Sequence, residues 1–402
     1  MDKHIDSVLN ELQQKGLLRT TKAVKPVSDT VVEINGQQLI NFSSNNYLGL
    51  AMHPEVITAA KEALSEYGAG SGASRLICGT TPIHEQLERK LAEFKHTEAA
   101  LVFPAGYMAN VGTISAILDK NDAIVVDKLN HASIIDGARL SGAKIIVYPH
   151  RDTGKLNSTL NRHRKKYNRL LIVTDSLFSM DGDIAPLPEI VSLARHYDCL
   201  TMVDEAHATG VFGTNGEGLI EHFGLSGQVD VVMGTLSKAI GSQGGYIAGT
   251  QMLIDYLVNK CRSFIYTTAL PASACAAALK AIEIIEREPE RRKRLWENIA
   301  EGTKMRELLK KNSSTGIPAC DYTDSSQQIE YQDMSQIVPI IIGDTEKTVK
   351  AAEKLYEAGF LVLPIRPPTV PEGTSRLRIS ISSEHTKEDI RRLVKVLNGL
   401  ES

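Results

Sequence analysis

The sequence predicts an α/β protein: a large portion built on a mostly parallel sheet covered by helices, a smaller α+β portion after it, and an arm in front. Three observations predict this. From about Pro54, short β-rich apolar runs alternate with longer stretches of 3.6-residue period. The runs are apolar on both faces, as strands buried between two helix layers are. Pro289 then breaks a long helical stretch, because proline lacks the amide donor and crowds the preceding turn. The expected division is 1–45 for the arm, 46–288 for the large domain and 289–402 for the small one.

In chain order, the arm opens with an amphipathic helix from about Asp2 to Lys15. Two strands follow, Val31 to Ile34 and Leu39 to Phe42, joined at Asn35-Gly36, a strong hairpin-turn dipeptide. The runs expected to form the large sheet are Ala99–Phe103, Ala123–Val126, Lys144–Tyr148, Leu170–Thr174, Cys199–Val203, Val229–Gly234 and Gly245–Ala248. A helix follows Pro271, and a charged helix runs through Trp296. The remainder reads as a strand at Ile337–Ile342, a helix at Thr345–Glu357, strands near Phe360–Leu363 and Leu377–Ile381, and a last helix from Thr386.

At 402 residues the chain is long enough for two to three domains at roughly 150 residues each. Its 42% hydrophobic and 23% charged residues supply an ordinary globular core and exclude disorder as the main state. Forty-five Lys plus Arg against 48 Asp plus Glu leave a charge of −3, which gives no general attraction to nucleic acid. The five cysteines, Cys78, Cys199, Cys261, Cys275 and Cys320, form an odd set without a CxxC pair, which argues against a disulfide framework or a zinc site. Met1 to Lys15 lacks the apolar centre of a signal peptide, and no apolar stretch reaches the roughly 18 residues of a membrane span. A cytosolic protein with no membrane or nucleic-acid partner is expected.

Generic motifs fail on context. Gly68 to Ala73 brushes against a dinucleotide loop but follows a helix instead of a strand. The patterns GxxxxGK[ST], GxSxG and HExxH do not occur. Arg162 to Lys166 is basic without interleaved aromatics and reads as a solvated helix face. What remains lies at the ends of expected strands, where open α/β sheets hold ligands. One strand ends in Asp204-Glu205-Ala206-His207, and a later one in Ser237-Lys238 before the glycine-rich Gly241 to Gly245. A lysine and an acid so placed suit pyridoxal 5′-phosphate, which needs an amine for its aldehyde and an anion beside its ring nitrogen. His207 is placed to reach the phenolic oxygen of the ring or a neighbouring polar group. Read singly, Lys238 is a loop lysine and Asp204 a helix cap; together with His207 they define a cofactor pocket.

Val203 to Gly210 (VDEAHATG) and Gly234 to Ala239 (GTLSKA) resemble the signatures of the α-oxoamine synthases, which are fold-type I pyridoxal-phosphate enzymes. Asn41 to Leu50 (NFSSNNYLGL), Asn130 to Ser133 (NHAS) and Phe178 to Asp183 (FSMDGD) match as well, so the resemblance covers nearly the whole chain. It implies a fold-type I transferase in which His131 stacks on the cofactor ring and Ser179 and Thr235 stand near ring and phosphate. Gly106 and Tyr107 open a helix after a strand, so their backbone amides face the phosphate. Thr267 and Thr268 would reach the phosphate of a neighbouring subunit, which implies a homodimer with active sites at its interface. Asn45 joins the substrate-binding residues.

Ile365 to Arg378 (IRPPTVPEGTSRLR) resembles the biotin-pathway branch of the family. It implies that Thr369 contacts substrate, that Arg378 forks onto the amino-acid carboxylate, and that Arg19 serves the acyl substrate. The implied reaction joins L-alanine to a pimeloyl thioester, carried on CoA or acyl carrier protein, with loss of carbon dioxide and thiol. Lys238, His131 and Asp204 are its catalytic residues. The alternatives are the branch that uses glycine and acetyl-CoA, and a non-catalytic scaffold subunit; scaffolds lose the lysine that this chain keeps as Lys238.

Overall fold

The computed structural model of the chain describes residues 1–312 and 334–400. Cys320 lies outside the described residues. The chain forms two compact units: residues 48–179 with 183–292, and residues 1–47 with 180–182 and 293–402.

The larger unit carries a seven-stranded sheet. Its order is Ala99–Phe103, Gly245–Gly249, Val231–Thr235, Leu200–Asp204, Leu170–Asp175, Ala123–Asp127, Lys144–Tyr148. Only Gly245–Gly249 runs against its neighbours, pairing antiparallel with the strands on both sides. The rest are mutually parallel where they pair. Every residue of Leu170–Asp175, Val231–Thr235 and Ala123–Asp127 is buried. That is why these runs read as continuous apolar stretches with no alternation. Ile124, Val126, Leu171, Val173, Met202 and Met233 form the sheet's share of the core, and Ile114, Ile134 and Leu257 bring the helices onto it. Each expected strand is present, shifted by at most two residues at its start.

In the smaller unit, Val31–Ile34 pairs antiparallel with Gln37–Asn41. The turn between them places Asn35 and Gly36 at φ 51° and 81°, the left-handed pair that a two-residue hairpin demands. Phe360–Leu361 adds to this hairpin in parallel, with Phe360 opposite Ile40. Val32, Ile34, Leu39 and Leu361 close the core beneath it. A separate antiparallel sheet runs in the order Ile337–Gly343, Ser375–Ser380, Pro364–Ile365. The single strand expected near Phe360–Leu363 is therefore two short strands in two sheets. Pro364 sits on an edge strand, where its missing amide costs no ladder bond. The helix Thr345–Glu357 starts at an Asp344 cap, and Lys387–Asn398 starts at a Thr386/Asp389 capping box. Among the described residues, no helix is long and apolar enough to cross a membrane.

Candidate active site

Parallel strands deliver their polar ends to one edge of the sheet, and Asp127, Asp175 and Asp204 each close a strand there. Asp175 lies level with Asp204 in the strand pairing. Asp204 is 4% exposed. Its Oδ2 accepts from the Asn110 amide at 2.8 Å and its Oδ1 from the Ala206 N–H at 2.9 Å. The Asn110 amide also donates to Ser133 Oγ at 2.9 Å. A buried carboxylate held by two donors is fixed in place, and its remaining lone pairs stay available as acceptors.

Lys238 stands in the 236–244 loop that joins two antiparallel strands. Leu236 N–H donates to Gly244 O at 3.0 Å, Ser242 N–H to Leu236 O at 2.8 Å, and Gly241 N–H to Lys238 O at 2.9 Å. Gly241 has φ 72°, and a Cβ there would lie 2.5 Å from Ala51 N, so both backbone and space require glycine. The loop is thus pinned around a half-buried lysine.

His131 caps the helix Ala132–Ser141: its Nδ1 accepts the Ser133 N–H at 3.3 Å and lies 2.7 Å from Ser133 Oγ. The His131 backbone N–H donates to Asp175 Oδ2 at 2.9 Å. Capping and cofactor stacking do not compete, because capping uses one ring nitrogen and leaves the ring face open; the residue is exposed. The crowded protein around it lowers the His131 pKa, and of the nearby charges Asp204 raises it while Lys238 lowers it. Asp175 is pushed well above the usual carboxylate range by burial and by the Asp204 charge beside it. These mutual effects bring Lys238, Asp204, His131 and Asp175 into one electrostatic neighbourhood.

The helix Gly106–Ile117 starts behind Ala105, whose methyl group cannot cap it, so its first amides have no side-chain cap. A Cβ on Gly106 would lie 3.0 Å from Met233 Cε, and one on Gly245 would lie 2.6 Å from Gly106 Cα. Gly245 lets backbone approach backbone at this start, and Gly106 lets the Met233 and Thr235 side chains close in. Thr235 Oγ1 donates to Gly244 O at 2.9 Å and lies 2.8 Å from Ser237 Oγ. Tyr107 is half-exposed, its hydroxyl donating to Asp136 Oδ2 at 2.8 Å. His207 is buried just after Asp204. Ser179 tips a short hairpin closed by the Leu177–Ile184 bridge and by Phe178 N–H donating to Asp183 O at 3.0 Å. Thr267 is half-buried and Thr268 exposed, the latter bridged to Ser74.

In the smaller unit, Arg378 is 7% exposed. Its guanidinium donates to Ser380 Oγ at 2.8 Å, Asn45 Oδ1 at 3.2 Å and the Tyr47 hydroxyl at 3.3 Å. Arg19 donates to Thr369 Oγ1 at 3.2 Å and Pro367 O at 3.3 Å. Arg366 donates to Gly16 O. Burial and the adjacent Arg19 cation both lower the Arg366 pKa.

An amine, a buried carboxylate, an uncapped helix start between close-packed glycines, and adjacent hydroxyls fit an aldehyde, a ring nitrogen and a phosphate. The donor set therefore suits pyridoxal phosphate. Sequence reasoning missed Asn110, Asp175, Tyr47 and Ser380. Asn110 was legible one turn beyond Gly106 on the same helix face, and Asp175 as the polar end of its strand; Tyr47 and Ser380 carried no such signal.

A family-wide match to aminotransferase class I and II spans residues 37–397. The chain belongs to that family. An 8-amino-7-oxononanoate synthase of Symbiobacterium thermophilum is 48% identical, with 95% of this chain and 93% of the relative aligned. One from Treponema denticola is 46% identical over 96% and 94%. Among solved structures, a serine palmitoyltransferase from S. paucimobilis with a bound PLP–myriocin aldimine superposes with TM-score 0.88 at 33% identity, covering 99% and 96% of the two chains. An 8-amino-7-oxononanoate synthase from Francisella tularensis superposes at 0.73 with 29% identity, covering 90% and 97%. The fold-type I architecture expected from the motifs is present.

Proposed function

We propose that this chain binds pyridoxal 5′-phosphate and condenses L-alanine with a pimeloyl thioester, releasing carbon dioxide, free thiol and 8-amino-7-oxononanoate. The observation that carries this reading is the shared neighbourhood of Lys238, Asp204 and His131 in a chain 46–48% identical to relatives of that name. Bound pyridoxal phosphate supplies an aldehyde that takes amines covalently and a ring that accepts an electron pair from the adjoining carbon. The Lys238 amine would hold the aldehyde and, when free, would take the alanine α-proton as general base. Asp204 holds the proton on the ring nitrogen. The first amides of the helix Gly106–Ile117 hold the phosphate, with Thr235 beside them. Ser179 and His207 would hold the cofactor beside its ring.

His131 would lay its ring on the cofactor. Since its Nδ1 accepts from Ser133, its proton sits on Nε2, where it donates toward the thioester oxygen as charge develops. Arg378, oriented by neutral partners, takes the amino-acid carboxylate, with Asn45 and Thr369 on the substrate. Arg19 and Arg366 place two cations side by side, a seat for the free carboxylate that a pimeloyl chain carries and an acetyl group lacks. Leu76, Ile77 and Tyr266 are 50%, 79% and 72% exposed, and they flank the Ser74–Thr268 bridge. An exposed apolar patch of this kind supports a homodimer in which Thr267 and Thr268 reach the neighbouring subunit's phosphate.

Steady-state assays of alanine with pimeloyl-CoA and pimeloyl carrier protein, against glycine with acetyl-CoA, test the reading. A higher kcat/KM for either pimeloyl pair is expected; faster turnover of glycine with acetyl-CoA would overturn it.

A further inference from the structure

His150 follows the strand Lys144–Tyr148 and takes no part in the mechanism above. Its Nδ1 lies 2.9 Å from Asp127 Oδ1 and its Nε2 lies 2.7 Å from Asp183 Oδ2. Its ring stands edge-on to Phe178 at 4.5 Å between centroids. Asp127 already accepts the Leu129 N–H on Oδ1 at 2.8 Å and the Arg151 N–H on Oδ2 at 2.8 Å, so both of its oxygens act as acceptors. The Arg151 guanidinium lies 3.5 Å from Asp183 Oδ2. A neutral imidazole has a single N–H and serves only one such carboxylate. A ring flanked at both nitrogens by carboxylates must donate from both.

The two partners belong to the two segments that present site residues. Asp127 organises the turn into His131 through its bonds to Leu129 and through Asn130 N–H donating to Asp127 O at 3.1 Å. Asp183 closes the hairpin that carries Ser179, and Phe178 on the same hairpin rests against the imidazole ring. We propose that His150 is a positioning residue: a doubly donating imidazolium that ties the turn presenting His131 to the hairpin presenting Ser179. The inference rests on the reading of His131 and Ser179 as cofactor-facing residues. The charged groups facing the ring are Asp127, Asp183 and Arg151. Burial opposes its charge, but hydrogen bonds to the two carboxylates outweigh this and push its pKa up to about 9.

Two measurements on the full-length chain test this. In ¹⁵N-histidine NMR, with His150→Gln supplying the assignment, His150 should show two protonated ring nitrogens at neutral pH and titrate near 9; a singly protonated ring at neutral pH would overturn the proposal. Non-covalent pyridoxal-phosphate affinity, read by fluorescence in a Lys238→Ala background, should weaken by roughly tenfold in His150→Phe, which keeps the ring contact and loses the donors. It should weaken similarly in Asp183→Asn. In the parent background affinity should also fall as pH rises through His150 titration, and His150→Gln should flatten that fall. Unchanged affinity in folded variants, or an unaltered pH profile, would refute the positioning role. No binding by the Lys238→Ala parent itself would instead mark a failure of the cofactor reading, which the NMR result does not share.

Discussion

In the proposed reaction Lys238 and Asp204 approach the same ligand from two strand ends, and each role has a separable consequence. Lys238→Ala should abolish the yellow, borohydride-reducible absorbance that appears when the purified chain is mixed with pyridoxal phosphate, and should cut turnover by roughly a hundredfold or more. A persistent reducible band would move the covalent role elsewhere. Asp204→Asn keeps the shape and the Ala206 contact but removes the charge. It should slow solvent exchange of the alanine α-proton by roughly a hundredfold or more while cofactor affinity changes little. An exchange rate equal to that of the parent would take Asp204 off the ring nitrogen. The residue types for these roles were legible in the motifs, but which side chains they meet was not. Asn110 reaches Asp204 at 2.8 Å from a different helix, a contact that spans 94 positions of sequence.

The segment Asp204 to His207 begins a turn and not a regular helix, so something outside it must hold it. Lys95 does so from the end of the helix Pro82–Phe94: its Nζ donates to Glu205 Oε2 and to Thr209 Oγ1, each at 2.9 Å, and to Glu217 O. Glu205 Oε1 accepts the Ile220 N–H at 2.9 Å. Both side chains of the ion pair are almost fully buried, at 3% and 1% exposure. Burial lowers the Lys95 pKa, but the Glu205 charge, Tyr246 and the hydrogen bonds to both together more than compensate, and the net shift is upward. Replacing one member leaves an uncompensated buried charge. Lys95→Met should therefore destabilise the fold by roughly 3–5 kcal/mol, and Lys95→Met with Glu205→Met should recover much of that loss in chemical denaturation. If the double variant is no more stable than the single one, the ion pair is not what holds this turn. Glu205 read in sequence only as part of a signature, because a partner 110 positions away leaves no periodic trace.

At the scale of the whole chain, the exposed Leu76, Ile77 and Tyr266 bear on assembly. Ile77→Glu should shift the chain toward a single-copy species in sedimentation and lower activity at dilute concentration, as expected where subunits complete each other's sites. An unchanged sedimentation profile with unchanged activity would remove this face from the interface. Strand positions were legible because strands buried on both faces are apolar throughout, and the sheet's polar ends followed from where those runs stop. The C-terminal strands were less so: Phe360–Leu361 and Pro364–Ile365 pair in different sheets, and short apolar runs carry no mark of which partner they take.

The sequence by itself determined the alternation of strands and helices, the glycine turns and the identity of Lys238, Asp204 and His131, because propensity, burial and local backbone demands act on neighbouring residues. Tertiary structure alone decided which side chains meet: Asn110 and Asp204, Lys95 and Glu205, His150 between Asp127 and Asp183. Hydrogen bonds and charges act over a few ångströms of space, and only the folded chain brings residues far apart in sequence within that range.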